Sequence, residues 1–216
     1  MEACARSRSR VLLPFVTLAL ETGARYGTLR RLQWSNVDFA NRCLTFGRDK
    51  TKSGSKRTIP LLAKAIATLE FWTQAFPDRQ PVHYVFPHEK YGAAGADEVF
   101  GFTQTTVYDA DPKRPTASIK VAWINARERA GLPTFRFHDC RHTAASRLIA
   151  SGVPLPIVGK ILGWSSSQLV KMSARYGHWS VEEMRSAMES ALAPKVESGS
   201  PKFPPKSYDA ETGIVQ

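Results

Sequence analysis

The last third of the chain is punctuated so closely that only short helices fit it. Apolar residues recur at helical spacing through Asp139–Ala150, with Ala144, Ala145, Leu148 and Ile149 on the inner face, and Gly152 and Pro154 stop the run. Leu155–Leu162 is a second run, closed by Gly163. Ser165 and Gln168 stand at capping-box spacing and open a third run that reaches Tyr176. Ser180 and Glu183 repeat that spacing and open a fourth, in which Val181, Met184, Met188 and Leu192 form a stripe that is either core or a partner surface. After Pro194, prolines with Gly and Ser predict a disordered tail over residues 194–216.

Upstream, the same signals predict helices over residues 11–22, stopped by Gly23, and 26–33, with Leu29 and Leu32 inward and Arg30 and Arg31 outward. The first is apolar and follows Arg6, Arg8 and Arg10, but it contains Pro14 and is too short to span a bilayer. Glu21 closes it without a small-residue cleavage site, so it reads as a core helix rather than a leader. Residues 1–10 are expected to be a frayed basic start. Between residues 37 and 61 the period changes. Val37 and Phe39 alternate, A-N-R turns the chain, residues 43–46 form a second strand, and R-T-I-P-L forms a third after a polar loop that holds Lys52. Further helices are expected over residues 61–76, with Leu62, Ile66, Leu69 and either Trp72 or Thr73 inward, and 118–130, with Val121, Ala122 and Ile124 inward. A short extended piece at 82–87 and loop-rich residues 88–116 separate them. The class is α+β, mainly α-helical with a small three-stranded antiparallel sheet.

A chain of 216 residues suffices for one core, which places a domain over residues 1–193 ahead of the tail. Lys and Arg exceed Asp and Glu by 30 to 19, a net charge of +11, and this favours a polyanionic partner, most simply nucleic acid. Three scattered cysteines, Cys4, Cys43 and Cys140, make neither a disulfide framework nor a cysteine-rich zinc cluster.

Chemistry concentrates at both ends of residues 135–179. His138 and Arg141 stand three apart on a helix and share a face, offering a proton carrier and a fixed, forked cation. That pair suits a phosphate whose negative charge grows during reaction. Tyr176 supplies an oxygen nucleophile. A metal-hydrolase reading of H-D-C-R-H, with two histidines at i and i+4, lacks the glutamate and the third ligand that such a motif needs. It would also set Arg141 against a cation.

The ordered pieces T-G-A-R at 22–25, L-x-W at 32–34, T-K-S-G-S-K-R-T-I-P-L at 51–61, H-D-C-R-H-T-A-A-S at 138–146, L-G-W-S at 162–165 and A-R-Y-G-H at 174–178 resemble the catalytic domain of tyrosine recombinases, the phage-type integrases. The resemblance implies that Arg25 and Arg141 grip the scissile phosphate and that Lys52 protonates the departing 5′-oxygen. It implies that His138 assists the proton's removal from Tyr176, whose attack leaves a 3′-phosphotyrosine link. Trp164 falls where the family usually has a second histidine; its indole N–H can donate one hydrogen bond but moves no proton. Thr28 stands where an acidic residue is common. Tyr176 follows Trp164 by twelve residues where about nine is the family's habit, which calls for a longer or differently entered tyrosine helix.

The implied partner is double-stranded DNA, with self-association into a synaptic tetramer, no membrane, and no metal or nucleotide cofactor. The implied location is the cytoplasm, on the nucleoid when DNA is bound. Only 24 residues precede Arg25, so the upstream DNA-clamping domain of family members is expected to be absent. Two other functions fit part of the pattern: strand relaxation of the type IB topoisomerase kind, and a DNA-binding module or decayed integrase without catalysis.

Overall fold

The computed structural model describes residues 1–47, 56–90, 109–176 and 181–192. The chain divides into two compact units, Met1–Ser173 and Ala174–Gln216. Lys52 and the tail beyond Pro194 lie outside the described residues.

In the first unit the core gathers on α2 (Leu12–Thr22). Leu12, Phe15, Leu18 and Ala19 are at most 1% exposed, so this helix is apolar nearly all round and sits inside rather than on a surface. Pro14 lies in its first turn, where the missing N–H leaves no intrahelical bond unmade. It packs against α6 (Asp139–Ala150) and α4 (Ala63–Thr73). Both α6 and α7 (Leu155–Leu162) have the bounds that their Gly and Pro punctuation predicts.

The junction after α2 is built from T-G-A-R. Thr22 turns its hydroxyl back to the Leu18 carbonyl, and the Ala24 N–H donates to the Thr22 hydroxyl. Gly23 takes a left-handed φ of 61°, and Ala24 is 2% exposed. A Cβ on Gly23 would lie 2.1 Å from Leu162 Cδ2 and 3.3 Å from Ala144 Cβ, so α2, α6 and α7 meet at this one position. Gly23→Ala is therefore expected to destabilise the protein by roughly 2–5 kcal/mol, from left-handed strain plus overpacking. Chemical denaturation measures this; a midpoint unchanged from wild type would refute the close approach.

The predicted meander is present. β1 (Val37–Asp38), β2 (Cys43–Phe46) and β3 (Arg57–Pro60) pair antiparallel in chain order, with Leu44 opposite Ile59 and Phe46 opposite Arg57. Arg42 accepts a positive φ of 51° in the turn between β1 and β2.

Five expectations need correction. Residues 1–10 are not frayed: α1 (Glu2–Ala5) buries Cys4, and Ser9 is 5% exposed, its hydroxyl and the Val11 N–H both donating to Glu89. The second predicted helix ends early, as α3 (Tyr26–Arg30), followed by a 3-10 turn over Trp34–Asn36 that is capped by reciprocal Gln33–Asn36 bonds. Leu62 is 63% exposed because it precedes α4 rather than lying on its inner face. The loop-rich region holds a second antiparallel pair, β4 (Pro87–Glu89) with β5 (Ala110–Pro115). A strand reading A-D-P-K-R-P has neither alternation nor β-propensity, which is why it was illegible. Finally, α5 (Lys120–Arg129) turns Trp123 and Ala126 inward and leaves Val121 70% exposed. The large indole, stacked on Phe135 and Phe137, fixes the face of the helix against the smaller Val121.

α8 (Ser166–Tyr176) starts with the predicted capping box: the Ser165 N–H donates to Gln168 Oε1 at 3.0 Å and the Gln168 N–H to the Ser165 hydroxyl at 3.3 Å. In the second unit, α9 (Val181–Leu192) leaves Val181, Met184 and Met188 exposed. Among the described residues no helix is long and apolar enough to cross a membrane.

Candidate active site

Arg25 and His138 are held by their neighbours in sequence. Tyr26 and Phe137 lie edge to face with ring centroids 5.5 Å apart, and both stack on Phe15 of α2, at 5.4 and 5.5 Å. Phe86 closes on the same ring at 4.7 Å. Arg25 is the extended residue that enters α3, and His138 is the helical residue that enters α6. Each is thus next in sequence to a half-buried ring packed on the core and has little freedom of main-chain position.

Arg141 lies one turn into α6 and is only 6% exposed. Its Nη1 donates to the Gly23 carbonyl at 2.8 Å, which ties the guanidinium to the T-G-A-R junction two residues before Arg25. A guanidinium anchored in this way presents its donors in a fixed plane.

His138 reports how close the charges are. Loss of hydration at the ring pushes its pKa below the ordinary value of 6.5, and the charges of His142, Arg141 and Arg25 push it further down, against a smaller pull from Asp139. The His142 ring stands perpendicular to it at 5.0 Å. Arg141 and Arg25 thus both lie near enough to His138 for their charges to act on its ring. The shift favours the neutral imidazole over the charged one.

The sign of the linkage follows. The unfolded chain binds this proton first as pH falls below about 6.5, so stability from His138 is whole above that pH and is lost as pH falls through the lower folded value. Melting temperatures of wild type and His138→Asn, compared between pH 7 and 5, should show the steeper fall in wild type. Parallel curves would mean that the ring is not electrostatically burdened.

Asp139 does not serve the site. Arg136 grips both its oxygens through Nη2 and Nε, and hydrogen bonds from Arg136 hold its carboxyl below the usual carboxylate range. Cys140 is 1% exposed, and burial pushes its thiol up to about 12. H-D-C-R-H thus offers two histidines and no third donor. Among the described residues no group of three His, Cys, Asp or Glu could hold a metal ion.

Trp164 sits just past α7, packed against Ala145, Val158 and Leu162. Its place is set by the end of that helix: its N–H bonds back to the Gly159 carbonyl at 2.8 Å, the Gly163 N–H to Lys160 at 3.3 Å, and Gly163 has φ 67°. This is the Schellman pairing of a left-handed glycine stop. Tyr176 is the last residue of α8, whose eleven residues account for the long interval after Trp164. Lys52 lies outside the described residues, on the stretch between β2 and β3.

One residue escaped the sequence reading. Arg57 opens β3 on the same face as Ile59 and is 9% exposed. The signal was present, since a charge at an inward strand position demands a partner.

The chain matches the model of the phage integrase family over residues 1–183. Its sequence is similar to the integrase of Salmonella phage P22, 28% identical over 168 residues, which is 76% of this chain and 38% of that protein. Its fold is similar to the catalytic domain of bacteriophage HP1 integrase, with a TM-score of 0.57, 22% identity and 92% of each chain covered. It is also similar to the Tn1549 transposon integrase solved with transposon right end DNA, with a TM-score of 0.56, 18% identity, and 83% of this chain and 58% of that one covered. The chain thus spans well under two thirds of the P22 relative.

Proposed function

The chain belongs to the phage integrase family, and from that premise we propose that it cuts and rejoins double-stranded DNA at specific sites through a phosphotyrosine link. Arg25 and Arg141 bind the non-bridging oxygens of the scissile phosphate and hold the charge that builds on them as phosphorus becomes five-coordinate. His138, neutral at working pH, takes the phenolic proton of Tyr176. The Tyr176 oxygen attacks phosphorus, and the bond to the 5′-oxygen breaks. Its electron pair leaves on that oxygen, which takes a proton from Lys52. Trp164 donates an indole N–H to the same phosphate. A 5′-hydroxyl from a second strand reverses the step and frees the tyrosine.

The observation that carries this reading is the convergence of Arg25 and Arg141 on His138 from two distant parts of the chain. The Tn1549 transposon integrase of like fold was solved with transposon DNA, and the chain's charge of +11 suits the same partner. Pairing of copies on DNA and action on the nucleoid in the cytoplasm belong to the same proposal.

The test is a DNA duplex nicked just beyond candidate cleavage sites, so that the short leaving strand diffuses away and the covalent product accumulates. A protease-sensitive protein–DNA adduct, with the nucleotide on the peptide that contains Tyr176, is the expected result. DNA retention without any adduct would favour the binding-only reading.

A further inference from the structure

His138 and His142 stand one helical turn apart at the start of α6, the spacing at which side chains on a helix meet. Their rings are perpendicular, with an interplanar angle of 84° and centroids 5.0 Å apart. The turn that carries them is well held. The His142 N–H bonds back to the His138 carbonyl at 3.4 Å, and the Thr143 hydroxyl donates to the Asp139 carbonyl at 2.8 Å. Between the two histidines, Cys140 is buried in the core and Arg141 is bonded to the Gly23 carbonyl. The ring pair therefore stands on a backbone that is anchored on its inner side.

A histidine that moves protons is ordinarily oriented by a carboxylate or a carbonyl on its second nitrogen. The carboxylate next to His138 in sequence is that of Asp139, and it is already taken. The Arg136 N–H donates to Oδ2 at 2.7 Å, and the Arg136 guanidinium donates to both oxygens. The group whose ring meets His138 is His142. Resting on the strand-transfer reading above, we infer that His142 is a positioning residue for the base: its ring, standing across that of His138, sets the plane of the imidazole that receives the tyrosine proton. A second effect is electrostatic. The charged groups that face His138 are His142, Arg141 and Asp139 on α6 and Arg25 at the entry to α3. After loss of hydration, the charge of His142 is the largest influence holding the His138 pKa below 6.5. An uncharged side chain at 142 removes that repulsion, so the His138 pKa rises.

Ring and charge are separable by substitution. His142→Phe keeps a ring and removes the charge, whereas His142→Ala removes both. In the whole chain, the His138 imidazole is titrated by NMR, its signal assigned by its loss in His138→Asn. The same proteins are compared in single-turnover adduct formation on the nicked duplex as a function of pH. In both variants the His138 midpoint should move to higher pH, and the acid limb of the rate profile should move with it. General base catalysis is worth about 10²–10⁴-fold, and His142→Ala should lose at least about tenfold of that on the plateau above the limb. His142→Phe should fall between His142→Ala and wild type.

An unmoved His138 midpoint in a variant whose spectrum is otherwise native would overturn the inference, because a merely structural residue leaves that midpoint where it was. A plateau rate in His142→Ala equal to wild type would overturn it too, as would His142→Phe as slow as His142→Ala. If His142→Ala does not fold, the midpoint in His142→Phe decides. Wild-type protein that forms no adduct at any pH would instead defeat the strand-transfer reading, and the His138 midpoint would still decide whether the two rings are coupled.

Discussion

Arg141→Ala is expected to slow formation of the covalent adduct by about 10²–10³-fold, the usual effect of removing one fixed donor to a charged transition state. The expectation rests on how Arg141 is held. It is 6% exposed and bonded at 2.8 Å to the Gly23 carbonyl. Its fork is therefore set before any substrate arrives, so little reorganisation is left for the reaction step. The same bond gives the variant a second effect. The Gly23 carbonyl loses its charged donor, and stability should fall by about 1–3 kcal/mol. Rates of adduct formation at saturating protein, measured well below each variant's melting temperature, separate the two. Arg141→Lys should recover part of the stability and little of the rate, because an ammonium group offers charge without the planar pair of donors. A lysine variant as fast as wild type would reduce Arg141 to a simple counter-charge.

Tyr176→Phe should abolish the adduct outright and leave melting temperature and DNA retention at wild-type levels. Only one oxygen is removed, and on the proposed reading it is the atom to which the DNA strand would be joined. Tyr176 ends α8, a helix whose start is fixed by the reciprocal Ser165–Gln168 bonds. The helix keeps its own determinants in the phenylalanine variant. Residual adduct in Tyr176→Phe would move the nucleophile elsewhere. A change in DNA retention alone would make the tyrosine a contact residue of a binding module.

Much of this was legible before the fold. Where local signals agree, as with Gly152, Pro154 and Gly163 around α6 and α7, the chain has no competing solution, and the bounds follow from punctuation alone. The motifs that carry Arg25, His138 and Arg141 were recognisable by their neighbours in sequence. What escaped notice depends on partners far away in sequence. The inner face of α5 is chosen by Trp123 meeting Phe135 and Phe137, which no periodicity in K-V-A-W-I-N-A-R-E-R announces. The β4–β5 pair forms on a segment with two prolines, beside the bonds that Ser9 and Val11 donate to Glu89. Arg57 was passed over as motif spelling, since only the fold shows which carbonyl and which ring it meets.

The ring cluster under the site sets an order of events during synthesis. Phe15, Tyr26 and Phe86 leave the ribosome early, but the cluster stays open until Phe137 follows them. Arg25 is therefore translated long before it has a fixed bearing, and it gains one only when the segment that brings His138 and Arg141 arrives. On the proposed reading, a nascent chain that stops short of that segment would carry Arg25 without His138, Arg141 or Tyr176.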